Sequence, residues 1–328
     1  MKSIVCTLQD DLQKAKTRVA ALGRTVAENE VIITQANATA VSRLASNVSR
    51  DFTDDVIKET LRKFFQTDFF SWCADLCAEK IEDETAALRK LLEAGIINAN
   101  RDHLDGPEYL IFKINTPDGS GPLMLLQAAL ATRLCDLYLA DPYFLAQELP
   151  TNLQDRWMLP RLEHIFSHAA LDAAINWRVQ TVECLEQAVP ITESYVTREV
   201  HRFVQEYGFL LSTDQFDHEA GKDLARIFAN FAGLALKLWK SRAHVCCCGI
   251  RGFGEAAFDL GNPLIEVDSS LASSMGQRLN GRPIGLIIRP AIWANSLSQD
   301  GTVEQVVWLK ALAWVSGEEG DMDLMELA

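Results

Sequence analysis

The chain has 328 residues, 48% of them hydrophobic, which is enough to bury a core without disulfides or metals. Its 31 Lys and Arg residues are outnumbered by 45 Asp and Glu residues, so the net charge is −14. This surplus of negative charge argues against a nucleic-acid partner, because proteins that bind nucleic acids neutralise phosphates with Lys and Arg.

The sequence predicts an intracellular protein, cytoplasmic or nuclear, that does not use the membrane as a partner. Asp10 and Asp11 interrupt the N-terminal region before an apolar stretch of secretory-signal length can form. No apolar run approaches the roughly 18 residues that a membrane helix needs. Because thiols stay reduced inside cells, we expect the eight cysteines to be buried thiols and not a disulfide framework.

Residues 1–50 are predicted to form an N-terminal helical arm that is short and coiled-coil-like. Apolar residues recur there at alternating spacings of four and three, namely at Leu8, Leu12, Ala15, Val19, Leu22 and Val26. Gly23 lies inside the pattern, which ends after about three heptads, so a long autonomous coiled coil is not expected. A homo-oligomer formed through residues 1–50 and docking of this helix onto another protein both fit the pattern.

Residues 51–240 are predicted to form a helical body. Apolar residues at helical spacing, with acidic residues or proline near the helix starts, predict a series of helices. They run from Thr53 through Trp72 to Leu76, from a start within Glu82–Glu84 to Gly95, from Pro122 to Leu139, from Pro160 to Ala188, from Thr192 to Tyr207 and from Asp217 to Lys240. Residues 96–121 are predicted to be an irregular connection with one weakly supported short strand, Tyr109–Ile114.

Residues 241–316 are predicted to form a mixed C-terminal element packed on the body. Two prolines flank the apolar run Ile284–Ile288, which predicts a short strand, and Asp300-Gly301 predicts a turn. Residues 303–315 fit a strand and a helix equally well. The predicted fold class is therefore mainly α, a multi-helix bundle with a small mixed or β C-terminal element.

Part of this C-terminal element resembles a known group of sequences. The block Arg278–Ile284, the turn at Asp300-Gly301 and the run Val307–Ala311 resemble the tail of uncharacterised proteins of filamentous fungi. Those proteins are intracellular and often carry coiled coil upstream. No activity is known for the family, so the resemblance implies a source and a shape but no catalytic residue.

The densest group of soft metal ligands is His244 together with the three cysteines that end at Cys248. On an extended segment, alternation would place His244, Cys246 and Cys248 on one face. A second pair of ligands, Cys73 and Cys77, would lie on one helix face. These five residues are the metal candidates, but small side chains packed in a strand are the favoured interpretation, and no cofactor is predicted.

Other motifs are better explained by packing and turns. His164 and His168 lie one helical turn apart, but Glu163 precedes the first histidine, whereas the metalloprotease pattern needs a glutamate after it. The glycines that follow the cysteine run, at positions 249, 252 and 254, are not in the order of a dinucleotide-binding loop. We interpret the histidines as helix residues and the glycines as turn residues.

The favoured function is a non-enzymatic intracellular interaction or regulatory protein that binds protein partners through helix faces. The alternative is a metal- or thiol-dependent protein, an enzyme or a redox protein, organised around Cys246–Cys248. Residues 317–328 form a third candidate, because apolar residues alternate there with acids as in segments that fold on a partner. A solvated acidic tail is the favoured interpretation of that last segment.

Overall fold

A computed structural model gives the fold for most of residues 52–315. It describes residues 52–98, 120–149, 158–169, 171–241, 243–253, 257–297 and 303–315, and Lys16 alone near the N-terminus. Four predictions lie outside these ranges: the coiled-coil-like arm, the strand Tyr109–Ile114, the turn at Asp300-Gly301 and the acidic tail. In the described ranges the fold is mainly α with a small C-terminal β element, which confirms the predicted class.

The helices come first along the chain. They are α1 Asp54–Gln66, α2 Asp68–Leu76, α3 Glu84–Glu93, α4 Gly121–Tyr138, α5 Met158–Ala169, α6 Leu171–Ala188, α7 Glu193–Tyr207, α8 His218–Trp239, and the short α9 Ile250–Phe253 and α10 Ser269–Met275. Short 3₁₀ turns cover Phe144–Glu148, Gly208–Leu210 and Gly276–Leu279. None of the helices in the described ranges has an apolar stretch long enough to cross a lipid bilayer.

Local sequence accounts for several helix ends. The side chains of Asp83, Thr192 and Asp217 accept hydrogen bonds from backbone N–H groups in the first turns of α3, α7 and α8. At the end of α3, Gly95 has φ 69°, and the N–H groups of Gly95 and Ile96 bond the carbonyls of Leu92 and Leu91. This is the paired pattern of a Schellman motif, in which glycine is the favoured residue.

The prediction of one continuous helix from Thr53 to Leu76 is wrong. The backbone breaks at Thr67, where φ is −109° and ψ is −104°, so that α1 ends at Gln66 and α2 begins at Asp68. The break allows rings from both helices to pack together with α8: Phe64 lies 5.1 Å from Phe231 and 6.0 Å from Phe69 between ring centroids. Packing of these three aromatic rings offsets the free-energy cost of interrupting the helix.

The prediction of one long helix from Pro160 to Ala188 is also wrong. The region contains two helices, of which α5 ends at Ala169 and α6 begins at Leu171. Glu163 and Arg178 form an ion pair of 3.6 Å, although a straight helix would separate them by about 22 Å along its axis. The chain therefore reverses direction between α5 and α6.

The C-terminal element consists of two three-stranded sheets. Its strands are β1 His244–Cys248, β2 Ile265–Val267, β3 Ile284–Arg289, β4 Ala291–Leu297, β5 Val303–Leu309 and β6 Ala311–Val315. One sheet has the order β1-β4-β5 and is antiparallel; in the other, of order β2-β6-β3, β6 pairs with β3 antiparallel and with β2 parallel. Residues 284–288 form the predicted strand, and residues 303–315 form two strands.

Two single residues carry the chain from one sheet to the other. Pro290 separates β3 from β4, and Lys310 separates β5 from β6. Proline lacks the N–H that a ladder needs, so a sheet corner is a position where it is tolerated. The two arms therefore behave as one long bent hairpin, with Ile284 paired to Val315 at one end and Leu297 paired to Val303 at the other.

The helical body and the strands share one large hydrophobic core. This core contains the buried faces of α1 to α4, α7 and α8 and extends to Val245, Leu286, Ile292 and Trp308 in the strands. A second, smaller core lies behind the strands and includes Ile265, Ile284, Ile287 and Ala313. Because β3 contributes to both cores, it is buried on both of its faces.

Candidate functional site

The cysteine strand β1 presents two different faces. It is the outer strand of its sheet and pairs with β4, with Cys247 opposite Ile292. Val245 and Cys247 pack on the large core, whereas Cys248 packs on the second core. Cys247 and Cys248 thus face opposite sides of β1, as alternation along a strand requires.

The thiols of Cys246 and Cys248 are held by local contacts. The Sγ of Cys246 lies 3.7 Å from the Nδ2 of Asn295, and the Sγ of Cys248 lies 3.5 Å from the Gly249 carbonyl oxygen. Burial, and then the neighbouring Cys247, raise the pKa of Cys246 and raise that of Cys248 to about 11. At neutral pH both side chains therefore stay protonated, which is unfavourable for nucleophilic attack.

The two metal candidates on α2 lie in a different part of the fold. Cys73 is fully buried in the large core, and burial together with Cys77 raises its pKa. Cys77 follows the end of α2 and forms a backbone bridge with Leu211. Among the described residues, no three His, Cys, Asp or Glu side chains come together as a group that could hold a metal ion.

His244 is exposed at the start of β1, where its ring is close to the charges of Arg178 and Glu163. Desolvation of the ring lowers its pKa, and the positive charge of Arg178 lowers it further, while Glu163 acts in the opposite direction. Tyr143 donates a hydrogen bond of 2.8 Å to Glu163, which in turn pairs with Arg178. This network was not predicted from the sequence. The one indication of it there is the arginine among the core-facing residues of α6.

Arg178 ties the end of α8 to the start of β1. Its guanidinium donates to the carbonyl oxygens of Trp239 at 3.3 Å, Ser241 at 3.0 Å and Ala243 at 2.8 Å, and it lies 5.6 Å from the centroid of the Trp239 ring. The side chain is completely buried, and burial lowers its pKa. A buried charge needs such partners, so the arrangement is structural.

Glu199 is a second buried charge, on α7. Its carboxylate accepts hydrogen bonds from Arg202 at 2.8 Å, Arg133 at 3.1 Å and Arg198 at 3.3 Å. Arg198 also pairs with Glu148 through two hydrogen bonds. The cluster fixes α7 against α4 and the preceding 3₁₀ turn, and its three arginines balance the charges of Glu199 and Glu148.

A groove with a volume of about 700 Å³ lies between α7 and α8. Six residues of each helix line it: Glu193, Val196, Thr197, Val200, His201 and Val204 on α7, and His218, Gly221, Lys222, Ala225, Arg226 and Ala229 on α8. Both sets follow the spacing i, i+3, i+4, i+7, i+8, i+11, which marks one face of a helix. The groove therefore consists of one face of α7 and one face of α8 that lie side by side. These two sets of six residues are called the α7 stripe and the α8 stripe.

The groove has an apolar floor and a polar rim. Val196 and Val200 are buried at its bottom, and Val204, Ala225 and Ala229 are half-buried along its length. The rim residues include Glu193 and His201 on α7 and Lys222 and Arg226 on α8, all exposed. No residue of the groove was predicted as a site from the sequence. The spacing of apolar residues shows which face of a helix is apolar, but it does not show which other element covers that face.

The remaining sequence motifs occupy ordinary structural positions. His164 lies exposed on α5, and the side chain of His168 is outside the described set. Gly249 leads from β1 into the four-residue helix α9, and Gly252 lies under the Cys248 thiol, which an added Cβ would approach to 2.2 Å. Gly252 therefore serves close packing inside α9, Gly249 connects β1 to that helix, and Gly254 lies outside the described residues.

Comparison with known proteins gives no relative from which a site could be transferred: no family model, no curated protein and no solved structure matches the chain. The resemblance of the C-terminal block to fungal proteins remains a prediction.

Proposed function

We propose that this chain is a non-enzymatic intracellular interaction protein and that the groove between α7 and α8 binds an amphipathic helix of a protein partner. The observation that carries this proposal is the matched pair of stripes, each with the spacing of one helix face. In a helical bundle, such a pair of stripes is normally covered by a third helix.

The dimensions of the groove fit a short helix. Residues 193–204 and residues 218–229 each span eleven steps along a helix, which is about 17 Å or three turns. The α8 stripe carries Gly221, Ala225 and Ala229 at intervals of four, so that a helix can approach its backbone closely. Valines on the α7 side provide the apolar area that the partner would bury.

The rim charges specify the partner further. Lys222 and Arg226 stand on the α8 side, where each pairs with an acidic residue three positions earlier, at 2.6 Å and 3.2 Å. All four of these side chains are more than half exposed, and such pairs contribute little free energy, so a partner carboxylate can replace the internal one. We therefore expect acidic residues on the side of the partner helix that faces α8.

The test uses the same substitution at two glycines of α8. An added Cβ meets no atom within 4 Å at Gly221 or at Gly233, so both positions tolerate a side chain. Gly221 lines the groove and Gly233 does not. Gly221→Leu should obstruct the groove, whereas Gly233→Leu is the matched control for the effect of leucine on the helix.

The probe is a displayed library of amphipathic helical peptides, about four turns long, selected on the wild-type chain. We expect enriched peptides with apolar residues at i, i+3, i+4 and i+7 and acidic residues on one flank, whose affinity falls at least tenfold with Gly221→Leu and is unchanged with Gly233→Leu. Enrichment of peptides without this spacing, or equal binding to both variants, would overturn the proposal.

The alternative function from the sequence is a metal- or thiol-dependent protein organised around Cys246–Cys248. Metal analysis of the purified chain tests its metal form: stoichiometric zinc or iron would support that form, and substoichiometric metal would count against it.

Self-association through residues 1–50 is a separate proposal, based on the sequence pattern of that arm. Deletion of residues 1–50 should lower the mass measured by light scattering to that of a single shortened chain. An unchanged number of chains per particle would remove the proposal. Removal of residues 317–328 tests the acidic tail in the same way, with partner binding as the measured quantity.

A further inference from the structure

The acidic tail, residues 317–328, has a charge pattern that complements the groove between α7 and α8. It contains five acidic residues and neither Lys nor Arg. Glu319, Asp323 and Glu326 have the spacing i, i+4, i+7, so they would form one stripe along a helix. These are features of the sequence alone, because the tail lies outside the described residues.

Apolar residues of the tail would lie beside this acidic stripe. Leu324, Leu327 and Ala328 have the spacing i, i+3, i+4 of one helix face. A helix of twelve residues spans about 17 Å, which is the length of the α7 stripe and of the α8 stripe. The sequence of the tail therefore supplies both the apolar face and the acidic flank that the groove requires of a ligand.

The charges of the groove determine which way such a helix faces. The α8 stripe contains Lys222 and Arg226 and no acid, whereas the α7 stripe contains Glu193. Acids of a bound helix are attracted to α8 and repelled by Glu193. The acidic stripe of the tail would therefore lie against α8, with the apolar residues over the floor at Val196 and Val200.

The end of β6 belongs to a different core from the groove. Val315 pairs with Ile284 and is buried in the second core, to which neither α7 nor α8 contributes a described residue. Both helices pack on the large core instead. Ser316 alone separates Val315 from the tail, and one residue spans at most about 3.6 Å. A tail that covers the groove along its whole length therefore comes from another chain.

On the basis of the proposed function of the groove, we propose that the groove of one chain binds the acidic tail of a second copy. A bound tail covers the apolar floor, so self-association and partner binding exclude each other, and an acid-flanked partner helix displaces the tail. A short helix in a groove is a small interface, so the contact belongs to the weak, transient class. It forms at high chain concentration, whereas light scattering at low concentration measures self-association through residues 1–50.

The first experiment measures binding of the tail to the groove directly. The probe is a fluorescein-labelled peptide of residues 317–328, and its anisotropy is followed during titration with the full chain carrying Leu324→Asp and Leu327→Asp, whose own tail no longer competes. We expect saturable binding that weakens with added salt. Adding Gly221→Leu to the chain should lower the affinity at least tenfold, and adding Gly233→Leu should leave it unchanged.

Two further variants test the apolar and the charged contacts separately. A peptide with Leu324→Asp and Leu327→Asp keeps the acids and should not bind. Lys222→Glu together with Arg226→Glu leaves the groove open and should also lower the affinity at least tenfold, while circular dichroism reports that each chain is folded. The proposal is overturned if the tail peptide does not bind, or if it binds equally to the Gly221→Leu and Gly233→Leu chains.

The second experiment identifies the chain that supplies the tail. Full chains with the photocrosslinker benzoylphenylalanine at Met325 are prepared with natural isotopes and with nitrogen-15, mixed at high concentration and irradiated. We expect mass spectrometry to find tail peptides of one isotope linked to α7 or α8 peptides of the other. Links confined to chains of one isotope would place the tail on its own groove and would overturn the proposal.

Failure here is distinguishable from failure of the proposed function. If the tail peptide does not bind but the selected library peptides still bind and remain sensitive to Gly221→Leu, the tail is not the ligand and the groove is still a binding site. If neither binds in the groove, both proposals are overturned.

Discussion

The boundary between the helical body and the C-terminal strands, here the joint, contrasts with the groove between α7 and α8. In the joint, polar side chains bind within the chain: Arg178 donates hydrogen bonds to three backbone carbonyls, and the indole N–H of Trp308 donates a hydrogen bond of 2.8 Å to the carboxylate of Asp54. In the groove, apolar side chains stay half-covered. Polar contacts therefore mark where the chain binds itself, and uncovered apolar stripes mark where it can bind another molecule.

The largest expected effect is the loss of the buried arginine of the joint. Arg178→Leu leaves three carbonyl oxygens without a donor and Glu163 without its cation, which should lower the free energy of unfolding by about 3–5 kcal/mol. Arg62→Leu is the matched control, because Arg62 forms an exposed pair with Glu59 and its loss should cost at most about 0.5 kcal/mol.

Urea denaturation of both variants measures the difference. If Arg178→Leu lies within about 1 kcal/mol of the wild type, the joint does not depend on this side chain and the contrast with the groove loses its strongest support.

The second effect concerns the opposite end of the joint, where β5 meets α1. Trp308→Phe keeps the buried ring but removes the hydrogen bond to the Asp54 carboxylate, so we expect a loss of about 1.5–3 kcal/mol. Asp54→Asn keeps an acceptor oxygen and should cost less. Thermal and urea unfolding compare the two, and an equal or larger loss with Asp54→Asn would show that the charge of Asp54 matters apart from this bond.

Much of the helical body could be predicted from the sequence, because its signals are local. The apolar residues of α8 repeat at helical spacing from Leu224 to Leu238, and its start at Asp217 follows from a capping side chain. The break at Thr67 could not be predicted, since neither glycine nor proline marks it and the apolar pattern continues across it. It depends on aromatic packing with Phe231.

The contacts of the joint and the groove could not be predicted for a different reason: they join residues that are distant along the chain. The spacing of the apolar residues in 303–315 fits both a helix and a strand. The strand form is stabilised by pairing of β5 with β4 and of β6 with β3. The hydrogen bond from Trp308 to Asp54 joins residues 254 positions apart. For the metal candidates, the alternation of side chains along a strand predicted that Cys246 and Cys248 share one face of β1. It did not predict which residues pack against the other face.

A smaller effect tests the groove without any partner. Gly221→Ala and Gly233→Ala each place a methyl group where no atom lies within 4 Å, and each should raise the free energy of unfolding by up to about 1 kcal/mol, because alanine loses less backbone entropy in a helix. Urea denaturation measures both. A destabilised Gly221→Ala beside a stabilised Gly233→Ala would mean that the space at Gly221 is filled, which contradicts an open groove.

The smallest expected effect is a pH dependence that the joint should show through His244. Partial burial and Arg178 lower the pKa of this histidine in the folded chain below the value of about 6.5 in the unfolded chain, so folding favours the neutral ring. Its contribution to stability is then complete above pH 6.5 and is lost as the pH falls through the folded pKa. Between pH 7 and pH 5 the melting temperature of the wild type should therefore fall more than that of His244→Gln, which cannot be protonated. The carboxylates are common to both proteins, so the difference between the two curves reports His244 alone. Parallel curves would show that protonation of His244 is not coupled to the ion pair of Arg178 and Glu163.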